Sequence, residues 1–382
     1  MAEECSKQID EMPLNDMKVS CLKYESDQCA DADAAHQSNR HSHGAARDLS
    51  MLSVVTDHDL QKAMAEGGIM EHWEPEKWTR LKTLAPAEGE GTVELMTNEG
   101  PDGKSVAVKV LPLSFMRSSP EEFNTQHPNA KKNPWTDVAF AKHLSSLSFP
   151  WVCEFLGVFL DKSQVHIMTS FASRGDIFMW CQTDSSNVGA AREKAMHPIV
   201  SQLCAAVRCL HDLGVAHRNL STENVLLADS GTGVQVKIID FGAASLSRTA
   251  SRELKAKRSY QAPEMHDSAE YDAFLADNFA VGVIVYCMAV HYYPWEHTKP
   301  GRDRSFEFAR SNGMETFLRK KRLPCNKKPI AEVFSGAFLE LLCGLLAIDP
   351  EMRYSLGEAC FQKESRQAVN SKSSWLSGIS SI

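Results

Sequence analysis

Four short motifs occur in one order along the chain, and their order constrains the fold more than any other feature. A VAVK segment ending at Lys109 comes first, an HRN segment containing Asn219 follows, and DFG and APE come after it. Each motif alone is weak evidence, but together they occur in order and with workable spacing. The polar side chains at these motifs can serve one site only if a single domain brings the segments together.

The residues around the first motif have strand patterns. WTRLKTL, TVELMT and SVAVKVL alternate apolar with other residues or contain β-branched runs, and CEFLGVFL and QVHIMTSF follow them. From about Asp176 the pattern becomes mainly helical, with the strand-like VQVKIID as the main break. We therefore predict an α+β domain over 73–362, with a small β-rich lobe at 73–170 and a larger helical lobe at 175–362.

The two ends of the chain differ in composition from this domain. Residues 1–72 are rich in Ser, Asp, Ala, Gln and His and poor in large apolar side chains, which predicts a disordered polar arm. Residues 363–382 are expected to form a polar tail.

The net charge and the length of the apolar runs indicate which classes of partner are not expected. The net charge of −8 provides no basic surface, so nucleic acid is not expected to be a partner. The longest apolar run, Phe279 to Val290, is too short to cross a bilayer and predicts a buried helix, so no membrane partner is expected. Eleven cysteines without a CxxC pair, and no secretory signal, predict a cytoplasmic protein with reduced thiols.

The ordered motifs resemble those of the eukaryotic protein kinase catalytic domain, over about residues 76–362. The resemblance implies a two-lobed kinase fold, ATP and Mg²⁺ as cofactors, and a protein substrate or regulatory protein as partner. Lys109 would contact the phosphates as a point charge, and Asn224 and Asp240 would offer oxygen ligands to magnesium. The catalytic set that it implies is Lys109, Asn219, Asn224 and Asp240.

The resemblance also implies how the nucleoside would be held. Ala107 and Leu226 match the small and aliphatic residues that enclose the adenine, Thr169 matches the gatekeeper, and Asp176 matches the acid that bonds the ribose. Residues 170–172 would form the hinge. The nucleotide-binding set is then Gly91, Val93, Ala107, Lys109, Ser170, Ala172, Asp176 and Leu226.

The first departure from the family pattern is at the catalytic base. The Asp that accepts the substrate hydroxyl proton in the family is Asn219 here. An amide can form hydrogen bonds, but it is not a useful base. This change predicts impaired phosphotransfer.

The glycine-rich loop is also degraded, and two alignments are possible. One uses Gly89 and Gly91 as the first two glycines, with Glu94 at the third position. The other, which we favour because it leaves a normal hairpin length, uses Gly91 as the third glycine and puts Pro86 and Glu88 at the first two. A Cβ there blocks close approach of the backbone, and the Glu88 carboxylate would repel phosphate.

Two further departures concern side chains near the site. Counting back nine residues from Phe149 puts Phe140 where the family has the Glu that pairs with the strand lysine. The nearest acid, Asp137, lies a turn earlier and is one methylene shorter, so we expect Lys109 to lack a well-placed partner. In the segment before APE, Lys257 stands where Ser/Thr kinases usually have Thr.

Positions that support the fold follow the family pattern. The predicted apolar column that joins the lobes contains Leu144, Phe155, His217 and Phe241. Asp277 matches a buried helix acid, and Arg353 matches the Arg that pairs with the Glu of APE, Glu264.

These observations leave three hypotheses for function. The leading one is a pseudokinase or very weak kinase that keeps a nucleotide site and acts by conformation or by binding a partner. The first alternative is an active Ser/Thr protein kinase in which Asn219 or a water replaces the base. The second is a scaffold that binds no nucleotide.

Overall fold

The computed structural model describes residues 52–65, 70–98, 103–231, 233–251, 256–369 and 374–376. Within these ranges a lobe built on one β-sheet precedes a larger, mainly helical lobe. The predicted α+β fold with two lobes is therefore confirmed.

A six-stranded sheet forms the first lobe, with the strand order β1-β5-β6-β4-β3-β2. Only the β1–β5 pair is parallel. Alternation along β4 buries Val106, Val108 and Val110 on one face and leaves Ala107 and Lys109 on the other. The strands are β1 (Glu71–His72), β2 (Trp78–Pro86), β3 (Thr92–Asn98), β4 (Ser105–Pro112), β5 (Phe155–Leu160) and β6 (Gln164–Ser170).

Three helices follow β4, and the last of them bears on the site. These helices are α2 (Leu113–Met116), α3 (Pro120–Gln126) and α4 (Pro134–Ser146). Helix α4 begins sharply because the Asn133 side chain accepts hydrogen bonds from the amides of Trp135 and Thr136, and Pro134 occupies the first helical position. Its buried face includes Val138, which fixes the rotation of the helix against the sheet.

The second lobe contains most of the helices and two small β-ribbons. Its largest cluster of buried apolar residues surrounds the helix at Ala273–Val290, in which every residue is buried. The elements are α5 (Ile177–Thr183), α6 (Ala190–Asp212), β7 (Val225–Asp229), β8 (Val234–Ile238), β9 (Thr249–Ser251), α7 (Glu264–Asp267), β10 (Glu270–Asp272), α8 (Ala273–Val290), α9 (Arg304–Asn312), α10 (Met314–Lys320), α11 (Ile330–Val333), α12 (Gly336–Leu345) and α13 (Ala359–Lys363).

Helix α8 contains the longest apolar run and is a core helix, as predicted. By length and composition alone it could cross a membrane, but all 18 of its residues are buried inside the domain. The buried pair predicted near the end of this lobe is also present, because Arg353 binds both carboxylate oxygens of Glu264 at 2.6 and 2.8 Å.

The N-terminal arm is more ordered than predicted. Residues 1–51 lie outside the described ranges, but helix α1 (Asp57–Ala65) lies within the segment expected to be disordered and packs against α4. Thr56 and Asp59 form a reciprocal cap at its start, with bonds of 2.9 and 3.2 Å. Val55 is buried, and its amide donates to the carbonyl of Leu213 in the helical lobe. The prediction of disorder is wrong here because a few apolar contacts and a cap suffice to dock a short helix.

The C-terminal tail is likewise not simply polar. Leu376 is fully buried, and the Trp375 ring packs 5.2 Å from that of Phe338 in α12. The indole nitrogen of Trp375 donates to Glu193 in α6 at 2.9 Å. Two apolar side chains of the tail therefore complete the surface of the helical lobe.

Candidate active site

Lys109 has an acidic partner, contrary to the expectation from its sequence. Its ammonium lies 3.1 Å from Asp137 Oδ2, on the first turn of α4. The other oxygen of Asp137 accepts the amide of Phe241 at 2.9 Å. Phe140, the position predicted by counting, is 1% exposed and stacks on the Phe241 ring. The count was wrong because α4 approaches the strand with its first turn.

Asp240 and Asn219 meet directly. The side-chain amide nitrogen (Nδ2) of Asn219 donates a hydrogen bond to Asp240 Oδ2 at 2.8 Å, and Asn219 is 2% exposed. Asp240 has a φ of 67°, a left-handed conformation that non-glycine residues seldom adopt. The Asp240 side chain is 14% exposed, and its carboxylate contacts Asn219 rather than solvent alone.

Asp277 on α8 anchors the loop that contains Asn219. Its two oxygens accept the amides of His217 at 2.7 Å and of Arg218 at 2.8 Å. Arg218 has a φ of 62°, and the bond from its amide stabilises this strained conformation. The predicted role of Asp277 as a buried helix acid agrees with these contacts.

Asn224 lies on the same side of the loop as Asn219. Its side-chain nitrogen donates to the Asn219 carbonyl at 2.7 Å, and its own carbonyl accepts the amide of Ile239, next to Asp240. The four predicted catalytic residues are thus gathered at one place, although Asn224 binds backbone rather than the other side chains.

A turn closes the β2–β3 hairpin above this group. Pro86 pairs with Thr92 across it, and Val93 pairs with Ala85 and with Lys109. This hairpin supports the alignment that uses Gly91 as the third glycine. Glu88, at the second glycine position, points inward, with Oε2 3.3 Å from the Lys109 ammonium.

Lys132 is a site residue that the sequence analysis did not identify. Its ammonium lies 2.5 Å from Asp240 Oδ2 and 2.9 Å from Glu88 Oε1. Lys132 lies in the polar, Pro-containing segment 117–134, which contains none of the four motifs. No local pattern marked the lysine, because its contact with Asp240 depends on how segment 113–133 packs against the DFG motif.

The ionisation of this cluster follows from its crowding. Burial disfavours the charge on Lys109, but attraction to Asp137, Glu88 and Asp240 outweighs it and raises the lysine pKa. Burial alone would raise the pKa of Glu88, but attraction to Lys109 and Lys132 is stronger and lowers that pKa to about 2. The pKa of Lys132 is raised, chiefly by Asp240 once burial is overcome. The lysines and Glu88 are therefore charged at neutral pH.

Most of the predicted nucleoside-binding residues lie on adjacent strands of the sheet lobe, whereas Leu226 lies on β7 of the helical lobe. Ala107 pairs with Thr169, and Val93 lies on the neighbouring strand β3. The Ser170 amide and hydroxyl both bond the backbone of Glu154, at 2.9 Å each. Ala172 in the following hinge segment is 4% exposed.

Asp176, predicted to contact the ribose, is also the N-cap of helix α5. It caps α5 by accepting the amide of Met179 at 2.6 Å, and its backbone bridges to Leu226 on β7. Burial raises its pKa to about 6. The helix cap uses only Oδ1 of Asp176. The backbone bridge between Asp176 and Leu226 brings Leu226 next to the hinge.

Lys257, at the unusual position before APE, has a partner in the catalytic loop. Its ammonium lies 2.7 Å from Glu223 Oε1. The attraction lowers the pKa of Glu223 although burial opposes it. This ion pair joins the segment before the APE motif to the loop between Asn219 and Asn224.

The described geometry does not fit a magnesium–triphosphate group. Asp240 Oδ1 is buried without a hydrogen-bond partner among the described residues, as a metal ligand would be, but Lys132 already binds Oδ2. The cavity among Glu88, Lys109, Lys132 and Asp240 measures about 10 Å³. That volume is about enough for one water molecule, so neither a phosphate nor a hydrated metal enters without displacing side chains.

Part of the predicted apolar column is visible as packed aromatic rings, with His217 edge-on to Phe241. Phe241 lies 5.0 Å from the His217 ring and 6.1 Å from the Phe140 ring. Leu144 is fully buried in the same cluster, and Phe155 is half-buried in the core of the sheet lobe. This packing holds Asp240 beside α4.

Comparison with known proteins agrees with this arrangement. The family model described as the protein kinase domain matches residues 88–364. The serine/threonine-protein kinase grp of Drosophila melanogaster is 32% identical over 226 residues, 58% of this chain and 40% of that protein. The serine/threonine-protein kinase SAPK3 of Oryza sativa subsp. indica is 34% identical over 163 residues, 42% of this chain and 47% of that protein.

The chain spans less than half the length of these two relatives. The match to the family model nevertheless extends over most of the chain and from the glycine turn to the end of the helical lobe. By its fold, its ordered motifs and this match, the chain belongs to the protein kinase family.

Proposed function

We propose that this chain is a kinase-fold signalling protein that keeps a nucleotide site but transfers phosphate poorly or not at all. The bond from Asn219 to Asp240 carries the proposal. A carboxylate only accepts hydrogen bonds, so the Asn219 amide must donate at this 2.8 Å contact. A donor amide cannot take the proton of a substrate hydroxyl, and this one is already bound to the aspartate.

Support for a nucleotide site comes from the residues around it. Lys109, Asn224 and Asp240 are retained, and Val93 and Ala107 lie on paired strands beside the hinge. We propose ATP as the nucleotide, and a protein substrate or regulator as the partner. The eight cysteines within the described ranges are free thiols, which supports a cytoplasmic location.

An active Ser/Thr protein kinase is the second candidate, and the Lys109–Asp137 pair favours it. Active kinases need this type of ion pair together with an aspartate that faces the phosphates. The printed names of the relatives given above point the same way. The two candidates differ in whether the lost base can be replaced.

Single-turnover transfer from labelled ATP to a generic Ser/Thr peptide separates them. The blank is Asp240→Ala, which removes the carboxylate common to both mechanisms. We expect the wild-type rate to lie close to the blank. A rate within about tenfold of the ~1–100 s⁻¹ typical of kinases would overturn the impaired-transfer proposal.

A further inference from the structure

The space next to Asp240 contains a cation that belongs to the chain itself. The Lys132 ammonium lies 2.5 Å from Asp240 Oδ2, and 28% of its side chain is exposed. Magnesium bound to that oxygen would stand next to this ammonium and be repelled by it. Magnesium also requires a regular shell of oxygen ligands at about 2.0–2.1 Å, which the lysine interrupts.

Several contacts of segment 113–133 hold Lys132 in place. The amide of the next residue, Asn133, donates to the Gly242 carbonyl of the DFG motif at 2.8 Å. The Asn133 side chain donates to Asn124 Oδ1 at 2.9 Å, and the indole of Trp135 donates to the Met116 carbonyl at 2.9 Å. These hydrogen bonds order the segment around Lys132 and so fix the position of its side chain.

The same segment supports the turn that carries Glu88. Gly89 has a φ of 61°, and a Cβ on it would lie 2.2 Å from the Phe115 ring. Phe115 packs in turn against Phe123 at 5.6 Å. The turn thus rests on an aromatic ring, and this contact directs Glu88 into the site.

Glu88 occupies the place of an anion between two lysines. One carboxylate oxygen lies 2.9 Å from Lys132 and the other 3.3 Å from Lys109. A phosphate group offers several acceptor oxygens and could replace both contacts at once. When Glu88 leaves, each lysine loses one carboxylate contact, and a phosphate oxygen can take each of those two places without a metal ion.

We propose that the site binds the phosphates of a nucleotide between Lys109 and Lys132 without a divalent metal, and that Glu88 holds this position until nucleotide displaces it. The inference rests on the proposed nucleotide site and adds its cofactor requirement. It explains why positively and negatively charged side chains together fill the place where the phosphates of a nucleotide would lie. It also separates binding from transfer, because a bound nucleotide would lack the metal that phosphoryl transfer normally uses.

The test is calorimetry with ATP and with adenosine, each in Mg²⁺ and in EDTA. Wild-type protein is expected to bind ATP with the same Kd in both buffers. Lys132→Met should weaken ATP binding in EDTA by about tenfold or more, and Mg²⁺ should restore it because Asp240 Oδ2 becomes free. Lys131→Met is the matched control, since that neighbouring lysine is exposed, and it should match the wild type.

Glu88 provides a second arm. Glu88→Gln should tighten ATP about tenfold and leave adenosine unchanged, because adenosine has no phosphate to compete with the carboxylate. The control is Glu90→Gln in the same turn, where the side chain is exposed. Melting temperatures of all variants verify that they fold.

The outcomes distinguish the inference from the function on which it rests. ATP binding by the wild type only in Mg²⁺, or equal loss in Lys131→Met and Lys132→Met, would overturn the metal-free site and leave the nucleotide site intact. Binding of neither ATP nor adenosine in either buffer would overturn the nucleotide site as well, in favour of a scaffold.

Discussion

Asp137 joins Lys109 to the DFG motif through its two carboxylate oxygens. Oδ2 lies 3.1 Å from the lysine ammonium, and Oδ1 accepts the Phe241 amide at 2.9 Å. A single short acid on the first turn of α4 therefore couples the sheet lobe to the helical lobe. This coupling is present although Asn219 stands where the kinase motif has its catalytic Asp.

The Asp137 contacts predict a stability loss on removal of the charge. Asp137→Asn keeps the shape but weakens both bonds, and hydrogen bonds to charged groups contribute about 1.5–3 kcal/mol. We expect the free energy of unfolding in urea to fall by about that amount. Glu121→Gln on α3, where the side chain is exposed, should change it by less than about 0.5 kcal/mol. Equal effects of the two changes would show that Asp137 does not couple the lobes.

The differences between sequence and structure have physical causes. Motif order and strand periodicity predicted the two lobes, because these depend on local pattern. The partner of Lys109 could not be found by counting, since the direction in which α4 approaches the sheet depends on segment 113–133. Lys132 was missed for the same reason.

The ends of the domain show a second kind of error. Composition made the N-terminal arm and the tail look polar throughout. The cap formed by Thr56 and Asp59 was a readable signal for α1. The packing of Trp375 against Phe338 and the burial of Leu376 depend on helices distant in the sequence, which no local pattern reveals.

A buried histidine predicts how stability depends on pH. His211 lies 2.9 Å from Glu358 Oε1 and 3.3 Å from Asp277 Oδ2, and its side chain is fully buried. Burial opposes its charge, but the bonds to the two carboxylates raise its pKa to about 9. The raised pKa means that this stabilisation is complete below the unfolded value of about 6.5 and is lost as pH rises through 9.

The measurement compares unfolding free energies of the wild type and His211→Gln from pH 6 to pH 10. The advantage of the wild type should narrow by about 3 kcal/mol over this interval. The control is the exposed His58→Gln, which should not reproduce this narrowing. An NMR titration that places the His211 pKa at or below 6.5 would contradict the expectation without recourse to any variant.

The C-terminal tail predicts a second stability effect. Leu376 is fully buried although it lies after the last long helix, and Leu→Ala at buried sites costs about 2–5 kcal/mol. We expect Leu376→Ala to lower the melting temperature, with a loss near the bottom of that range because the tail can detach locally. Met352→Ala is the control, because that side chain is 65% exposed. A melting temperature unchanged from the wild type would mean that the tail does not dock in solution.

The last prediction concerns Asn219 and Lys132, the two side chains that bind Asp240 Oδ2. Asn219→Asp restores a base at the expected position, and general base catalysis contributes about 10²- to 10⁴-fold. Lys132 still binds Asp240, so we expect a rise of only about tenfold to a hundredfold over a low background. Pairing the change with Lys132→Met, which frees Asp240 Oδ2 for magnesium, should give more than the product of the single effects, because both groups serve one transition state. The assay is single-turnover transfer from labelled ATP in Mg²⁺, with Asp240→Ala added to each variant as its blank. A double variant no faster than Asn219→Asp alone would show that Lys132 does not limit transfer, and an unchanged rate in both would show that the missing base is not the limiting defect.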